Sequence, residues 1–203
     1  MGFKNLRLFP IDSTKTGTGG YPFYDSPIRL QGSVAVGDPA AHPEDFNAVK
    51  VSITPTIKTR ALNADNKEKL DVKFVGYELA LEIFRVEPLA VAPLFGYTKD
   101  ANEDIKEIIN APRKQFGVYF EGETADGLKY QKYLYKVDFT DPDFETETDT
   151  GESVTTLKLA GNGYAIKESV SGEHVKAYTV YATSSNWKTT IPTEMLQSPT
   201  PAE

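Results

Sequence analysis

Cysteine is absent from this chain of 203 residues, histidine occurs twice and tryptophan once. Without cysteine there are no disulfides, no thiol nucleophile and no thiolate metal site, and the composition suits folding in a reducing cytosol. The two histidines, His42 and His174, stand far apart with no organised carboxylate spacing around them. They read as solvated imidazoles, and neither a metal nor a cofactor is expected. No apolar run approaches the roughly 20 residues of a membrane span. The opening residues also lack the apolar segment of a signal peptide, so a soluble chain without that export route is expected.

One further absence is local. From Asp138 to Glu152 there is no Lys or Arg, while seven acids occur: Asp138, Asp141, Asp143, Glu145, Glu147, Asp149 and Glu152. The whole chain carries 29 acids and 22 bases, so this segment accounts for the entire net charge of −7. An acidic protein does not bind nucleic acid by neutralising phosphates, although it can form a wall past which DNA slides. The segment is read as a loop serving assembly or facing a channel, beside the plainer reading of a well-solvated surface loop. Calcium is disfavoured, because the spacing lacks the central glycine of a helix-loop-helix cation loop.

What is present is β-patterning. Residues 115–121 alternate Phe116, Val118 and Phe120, and after a Gly-containing turn residues 128–139 place Tyr133, Tyr135, Val137 and Phe139 at alternate positions. This predicts a hairpin with those four on one face and Lys132, Lys136 and Asp138 on the other. A third strand is expected over 153–159, and the last strands over 154–159 and 175–182, with a short one near 164–166. Residues 28–36 predict a strand with a bulge at Gly32. Val49, Val51 and Ile53 begin another, followed by an irregular connection over 54–69. The longest alternating run, 70–86, sets Val75, Tyr77, Leu79, Leu81 and Ile83 on one face and is expected to bend at Gly76.

Pro88 and Gly96 bracket a short helix at 87–96, and Ile105, Ile108 and Ile109 have helical spacing within 100–110. Residues 1–27 read as an extended arm with a short strand at 3–9. The glycines of 14–20 suit a flexible linker; a phosphate cradle would need a Gly-Lys-Ser/Thr ending and a following helix. Residues 28–188 form the β-rich domain, Trp187 marks its end, and 189–203, with three prolines, read as a flexible tail.

In this order the stretches resemble the major tail proteins of long-tailed, non-contractile bacteriophages. They are residues 2–6 (Gly-Phe-Lys-Asn-Leu), 26–32 (Ser-Pro-Ile-Arg-Leu-Gln-Gly), 64–66 (Ala-Asp-Asn) leading to 76–81 (Gly-Tyr-Glu-Leu-Ala-Leu), 94–100 (Leu-Phe-Gly-Tyr-Thr-Lys-Asp), and the 116–135 hairpin with its Glu/Thr-rich sequel. The resemblance covers most of residues 1–185 and rests on order and spacing. At 101–107 the chain departs from the family's Gly-containing turn, and the segment after Trp187 is too short for the immunoglobulin-like domain of some relatives.

The resemblance implies a mainly β fold, a sandwich or partly open barrel with one short flanking helix, tail-tube-like. Six copies would close into a ring, and rings would stack head to tail into a tube through which phage DNA passes without specific binding. Other tail proteins, such as the tape measure and tail terminator, are implied partners, and the location implied is the virion tail, assembled in the host cytoplasm. Such a protein is structural and not an enzyme. A tail-completion or baseplate ring protein is the nearest alternative. A carbohydrate-binding sandwich presenting Tyr119, Tyr130, Tyr133 and Tyr135 is another, with cross-strand packing as the plainer role for those rings. A glycoside hydrolase would need two carboxylates held at fixed separation, which a clustered acidic loop does not offer.

Overall fold

A computed structural model describes residues 4–27, 48–64, 67–84, 95–102, 104–106, 113–140, 143–149, 152–169, 171–190 and 192–196. The strand expected at 28–36, Gly32, His42 and the helix expected at 87–96 as far as residue 94 lie outside them.

The fold is mainly β and antiparallel. In chain order the strands are β1 (Lys4–Thr16), β2 (Pro22–Tyr24), β3 (Ala48–Ala64), β4 (Lys67–Phe84), β5 (Thr98–Lys99), β6 (Ile105–Lys106), β7 (Gln115–Glu123), β8 (Lys129–Phe139), β9 (Asp143–Asp149), β10 (Glu152–Gly163), β11 (Ile166–Lys167), β12 (His174–Val175) and β13 (Ala177–Tyr181). The main sheet runs β2-β1-β7-β8-β10-β4-β3, with β13 on β8 and β9 on β10.

Two apolar clusters occupy the two faces. One gathers Leu6 and Leu8 of β1, Phe116, Val118 and Phe120 of β7, Leu134, Val137 and Phe139 of β8, Leu157 and Leu159 of β10, and alternate residues of β4 from Tyr77 to Ile83. Val51 and Ile53 of the end strand β3 pack into it too. Strands from both ends of the sheet therefore share one core, which requires the sheet to curl as a partly open barrel does. The second cluster lies on the outer face: Phe9, Tyr119, Tyr133, Tyr135 and Val180, covered by Tyr21, Tyr24, Ile166, Trp187 and Met195.

The expected 115–139 hairpin is present as β7 and β8, but its alternation breaks. Phe116 pairs with Val137 and Val118 with Leu134, so β8 has one extra residue between them. That bulge switches the faces: Tyr133 and Tyr135 belong to the outer cluster, whereas Val137 and Phe139 belong to the inner one. The four residues do not share a face as their spacing predicts.

Residues 4–27, from the stretch read as an extended arm, are built into the sheet and its covering layer. β1 is paired with β7 along Lys4 to Pro10, and it is buried on both faces, with Leu6 and Leu8 inward and Phe9 outward. The glycine segment is a built turn: Gly19 and Gly20 adopt φ of 64° and 86°, and Gly20 packs on the Lys167 carbonyl, where any Cβ would collide. Of the segment 100–110, expected to be helical, the described residues 100–102 and 104–106 form no helix, and Ile108 and Ile109 lie outside the described residues. The Asp100 carboxylate accepts the backbone N–H groups of Asn102 and Asp104 at 2.8 and 2.9 Å, closing the β5–β6 hairpin.

The C-terminal segment also folds back as far as Leu196. Gln131 donates to the Lys188 carbonyl at 2.7 Å and accepts the Lys188 N–H at 3.2 Å, so one buried side-chain amide substitutes for a strand partner. Met195 then sits over Gly117, where a Cβ would come within 2.9 Å of its methyl carbon. Met195→Ala is expected to cost about 2 kcal/mol, measured as a lower urea midpoint with unchanged slope. An unaltered midpoint would show that the segment is not held there.

Candidate functional site

The six of the seven acids that are described lie in strands and not in a loop. Asp138 lies within β8, Asp141 falls outside the described residues, Asp143, Glu145, Glu147 and Asp149 lie in β9, and Glu152 opens β10. Antiparallel pairing runs from Glu152 opposite Asp149 to Lys158 opposite Asp143. The same β10 strand continues to pair with the end of β8, Gly161 opposite Phe139. β8 and β9 are thus successive parts of one long edge along β10, joined at Thr140, whose N–H and hydroxyl both donate to the Ala160 carbonyl.

Register sorts this ribbon into two sets of positions, because paired residues fall on the same side of a sheet. Asp143, Glu145, Glu147, Asp149 and Glu152 belong to one set. Phe144, Thr146 and Thr148 belong to the other, with Leu157, which is fully buried in the inner core. The acid positions therefore belong to the set opposite to that of Leu157.

A second ribbon lies at the other end of the sheet. Of the segment 54–69, expected as an irregular connection, residues 54–64 and 67–69 are strand: β3 and β4 pair from Ile57 opposite Phe74 to Ala64 opposite Lys67. The bend anticipated at Gly76 is a bulge, since Thr56 faces Gly76 while Ile57 faces Phe74. β10 accompanies β4 only from Phe84, opposite Thr156, to Tyr77, opposite Gly163. Beyond Tyr77, β3 and β4 pair with each other alone among the described residues. Eight pairs at about 3.3 Å per residue give a ribbon roughly 26 Å long.

β4 runs past the Gly163 end of β10, whereas the acidic ribbon runs past the Thr156 end. The two ribbons accordingly leave the shared β4–β10 pairing in opposite directions.

No family model matches the chain, and no curated protein matches it in sequence. Among solved structures, a chain of the anti-feeding prophage baseplate, determined with six-fold symmetrisation, is 11% identical, covers 86% of this chain and 91% of its own, and has a TM-score of 0.35. Hcp1 from Salmonella typhimurium is 14% identical over 88% of this chain and 95% of its own, with a TM-score of 0.32. Another Hcp protein is 8% identical over 86% and 97%, also at 0.32.

Asp138 is separated from the other acids. It faces an open groove of about 920 Å³ whose lining includes Asp12, Asp25, Arg113 and Lys114. Within this groove Asp12 accepts hydrogen bonds from Lys15 and Thr14, which hold its carboxyl down at about 2. Among the described residues no group of three or more His, Cys, Asp or Glu side chains is placed to hold a metal.

The tyrosines read as a sugar platform do not form one. Tyr119, Tyr133 and Tyr135 are 0% exposed, and Tyr119 faces Tyr133 across the β7–β8 pair with ring centroids 4.9 Å apart. Their role is cross-strand packing; only Tyr130 retains partial exposure, beside Lys132 in a shallow groove. Burial lowers the pKa of the Lys132 ammonium below its ordinary value, helped by Lys176 nearby.

The polar centre under the outer face has no motif to announce it. Glu121 accepts hydrogen bonds from Asn5 at 2.8 Å, Tyr119 at 2.6 Å and Gln131 at 3.2 Å. Asn5, at φ 60°, is the one non-glycine residue with positive φ among those described. It sits where β1 shifts register against β7. Sequence offers only an Asn near the start of a strand, a residue type that tolerates this backbone region.

Proposed function

We propose that this protein is a structural subunit of a tail-type tube, assembling into rings that stack head to tail around a channel for phage DNA. The observation that carries the reading is the pair of ribbons leaving opposite ends of one sheet. An isolated two-stranded ribbon is marginally stable in water, so each gains most by packing against a neighbour. A contact between unlike ends of identical subunits propagates without closing and builds a filament. The order of sequence stretches that resembles phage major tail proteins supports the same reading, and with it six copies to a ring and a place in the virion tail.

The protein's net charge of −7 suits a conduit that DNA crosses without sticking. Negative-stain electron microscopy with light scattering over a concentration series tests the proposal. Rings and hollow tubes with six-fold end views are the expected result. Rings that never stack would favour a completion or baseplate component, and a monomer under all conditions would overturn the assembly reading.

A further inference from the structure

The ribbon formed by 57–64 and 67–74 has its own division by register. Lys58 pairs with Lys73, Arg60 with Asp71, Leu62 with Lys69 and Ala64 with Lys67. All five bases of this ribbon, Lys58, Arg60, Lys67, Lys69 and Lys73, therefore occupy one set of positions. That set holds a single acid, Asp71. The other set contains Ile57, Leu70, Val72 and Phe74, and Ile57 is 52% exposed. The acidic ribbon is its counterpart: five acids, Asp143, Glu145, Glu147, Asp149 and Glu152, share one set of positions that holds a single base, Lys158.

In both ribbons the charged positions recur every second residue, about 6.6 Å apart along a strand. Laid face to face, two such arrays match in sign and in repeat. Within one molecule they cannot meet, because they leave opposite ends of the β4–β10 pairing, which itself spans eight residue pairs. Between two molecules stacked in the same orientation, the acidic end of one is presented to the basic end of the next.

We propose that copies of this chain join head to tail by laying the acid positions of β9–β10 in one copy against the base positions of the distal β3–β4 ribbon in the next. The inference rests on the assembly reading above and adds the contact that drives it. Single exposed ion pairs contribute little, but an array of five against five acts as a network. It also makes the joint sensitive to salt, since the screening length falls from about 10 Å at 0.1 M to about 3 Å at 1 M. Like ends repel, so the contact selects head-to-tail over head-to-head stacking.

The test uses two charge-reversed forms of the full chain. One carries Glu145→Lys, Glu147→Lys and Asp149→Lys; the other carries Lys58→Glu, Arg60→Glu and Lys69→Glu. Each alone presents like charge to like at every joint, and its assembly threshold is expected to rise at least tenfold. Mixed in equal amounts, the two offer complementary joints in alternation, and assembly is expected to return. Circular dichroism melts of each variant report whether it folds.

Carbodiimide cross-linking of a wild-type mixture of heavy- and light-isotope chains gives a readout independent of the variants. Links between the 143–152 and 58–73 peptides of different chains are expected. Variants that each assemble like wild type, or a mixture that stays dispersed although both variants fold, would overturn the pairing and leave the tube reading standing. Assembly with no such inter-chain link would do the same. Wild type that neither assembles nor cross-links between chains would overturn both.

Discussion

Replacing Gly163 with alanine is expected to lower the unfolding free energy by about 3 kcal/mol, the upper part of the range for overpacking a filled core. Gly163 stands directly opposite Tyr77 where β10 leaves β4, and a Cβ on it would fall inside the Tyr77 ring. The ring has no room to retreat, because Tyr77 is only 2% exposed and belongs to the inner core. On the other side of β10, Gly163 pairs with Val137, so the strand cannot slide away without disturbing a second ladder. For a chain of this size, 3 kcal/mol lowers the melting temperature by roughly 6–12 °C.

A double-mutant cycle separates this collision from a general loss of packing. Tyr77→Leu alone opens space and costs stability, but in combination with Gly163→Ala the two losses should fail to add by 1 kcal/mol or more. Gly163→Ala within about 0.5 kcal/mol of wild type would show that the ring does not lie over the glycine. The neighbouring Gly76 is constrained from the same place, since a Cβ there would come within 2.6 Å of the Gly163 carbonyl oxygen. Together these two glycines let β4 bulge and cross close to β10 at the point where the distal ribbon begins.

That ribbon shows where sequence reading reaches its limit. Alternation of apolar residues made β7, β8 and the later part of β4 legible, because each has a face in the inner core. In the segment 54–69 the few apolar residues, Ile57, Ala61, Leu62 and Ala64, keep no strict alternation, and Pro55 breaks the pattern of a strand. An edge strand tolerates proline, however, and β3 ends the sheet order. β9 was hidden in the same way. Its Asp and Glu residues are depleted in strands and outweigh the favourable Thr146 and Thr148, and the strand exists because Ser153 to Lys158 supply a ladder for it. β1 is legible only as a short strand at 3–9 within an arm, and not as an inner strand of the sheet, because it is buried on both faces, which erases alternation.

For the candidate site, the acids themselves were plain in composition, and their period-two spacing is a strand signal in retrospect. The detachment of Asp138 was not legible, since it depends on where β8 ends and β9 begins. Nor was the matching array of bases. Its members are spread over two strands, Lys58 and Arg60 in one and Lys67, Lys69 and Lys73 in the other, and only the register brings them together. A bulge has the same character: the extra residue in β8 between Leu134 and Val137 is decided by the partner strand, and no residue type in β8 marks it.

Alkali is expected to unfold the protein cooperatively within about two pH units above the ordinary phenol value of 10. Tyr77, Tyr119, Tyr133 and Tyr135 are all essentially inaccessible, and desolvation is the leading cause that raises each phenol, Tyr133 to about 12 and the others further. The sign follows from which state holds the proton. Below pH 10 folded and unfolded chains both keep these phenols neutral, and stability is complete. Above it the unfolded chain releases protons that the folded chain retains, so stability falls as pH rises toward the folded values. Each phenol contributes about 1.4 kcal/mol per pH unit, and four together roughly 5 kcal/mol per unit, which exhausts the 5–15 kcal/mol of a typical domain quickly. Tyrosinate absorbance and far-ultraviolet circular dichroism should change together, because these rings ionise only as the sheet opens. Tyr133→Phe provides the internal check: its hydroxyl has no hydrogen-bond partner among the described residues, so removing it should leave neutral-pH stability within about 0.5 kcal/mol while moving the alkaline midpoint upward. Phenols that ionise near pH 10 with the circular dichroism intact would mean that the outer face opens to solvent without unfolding, and that Trp187 and Met195 do not seal it.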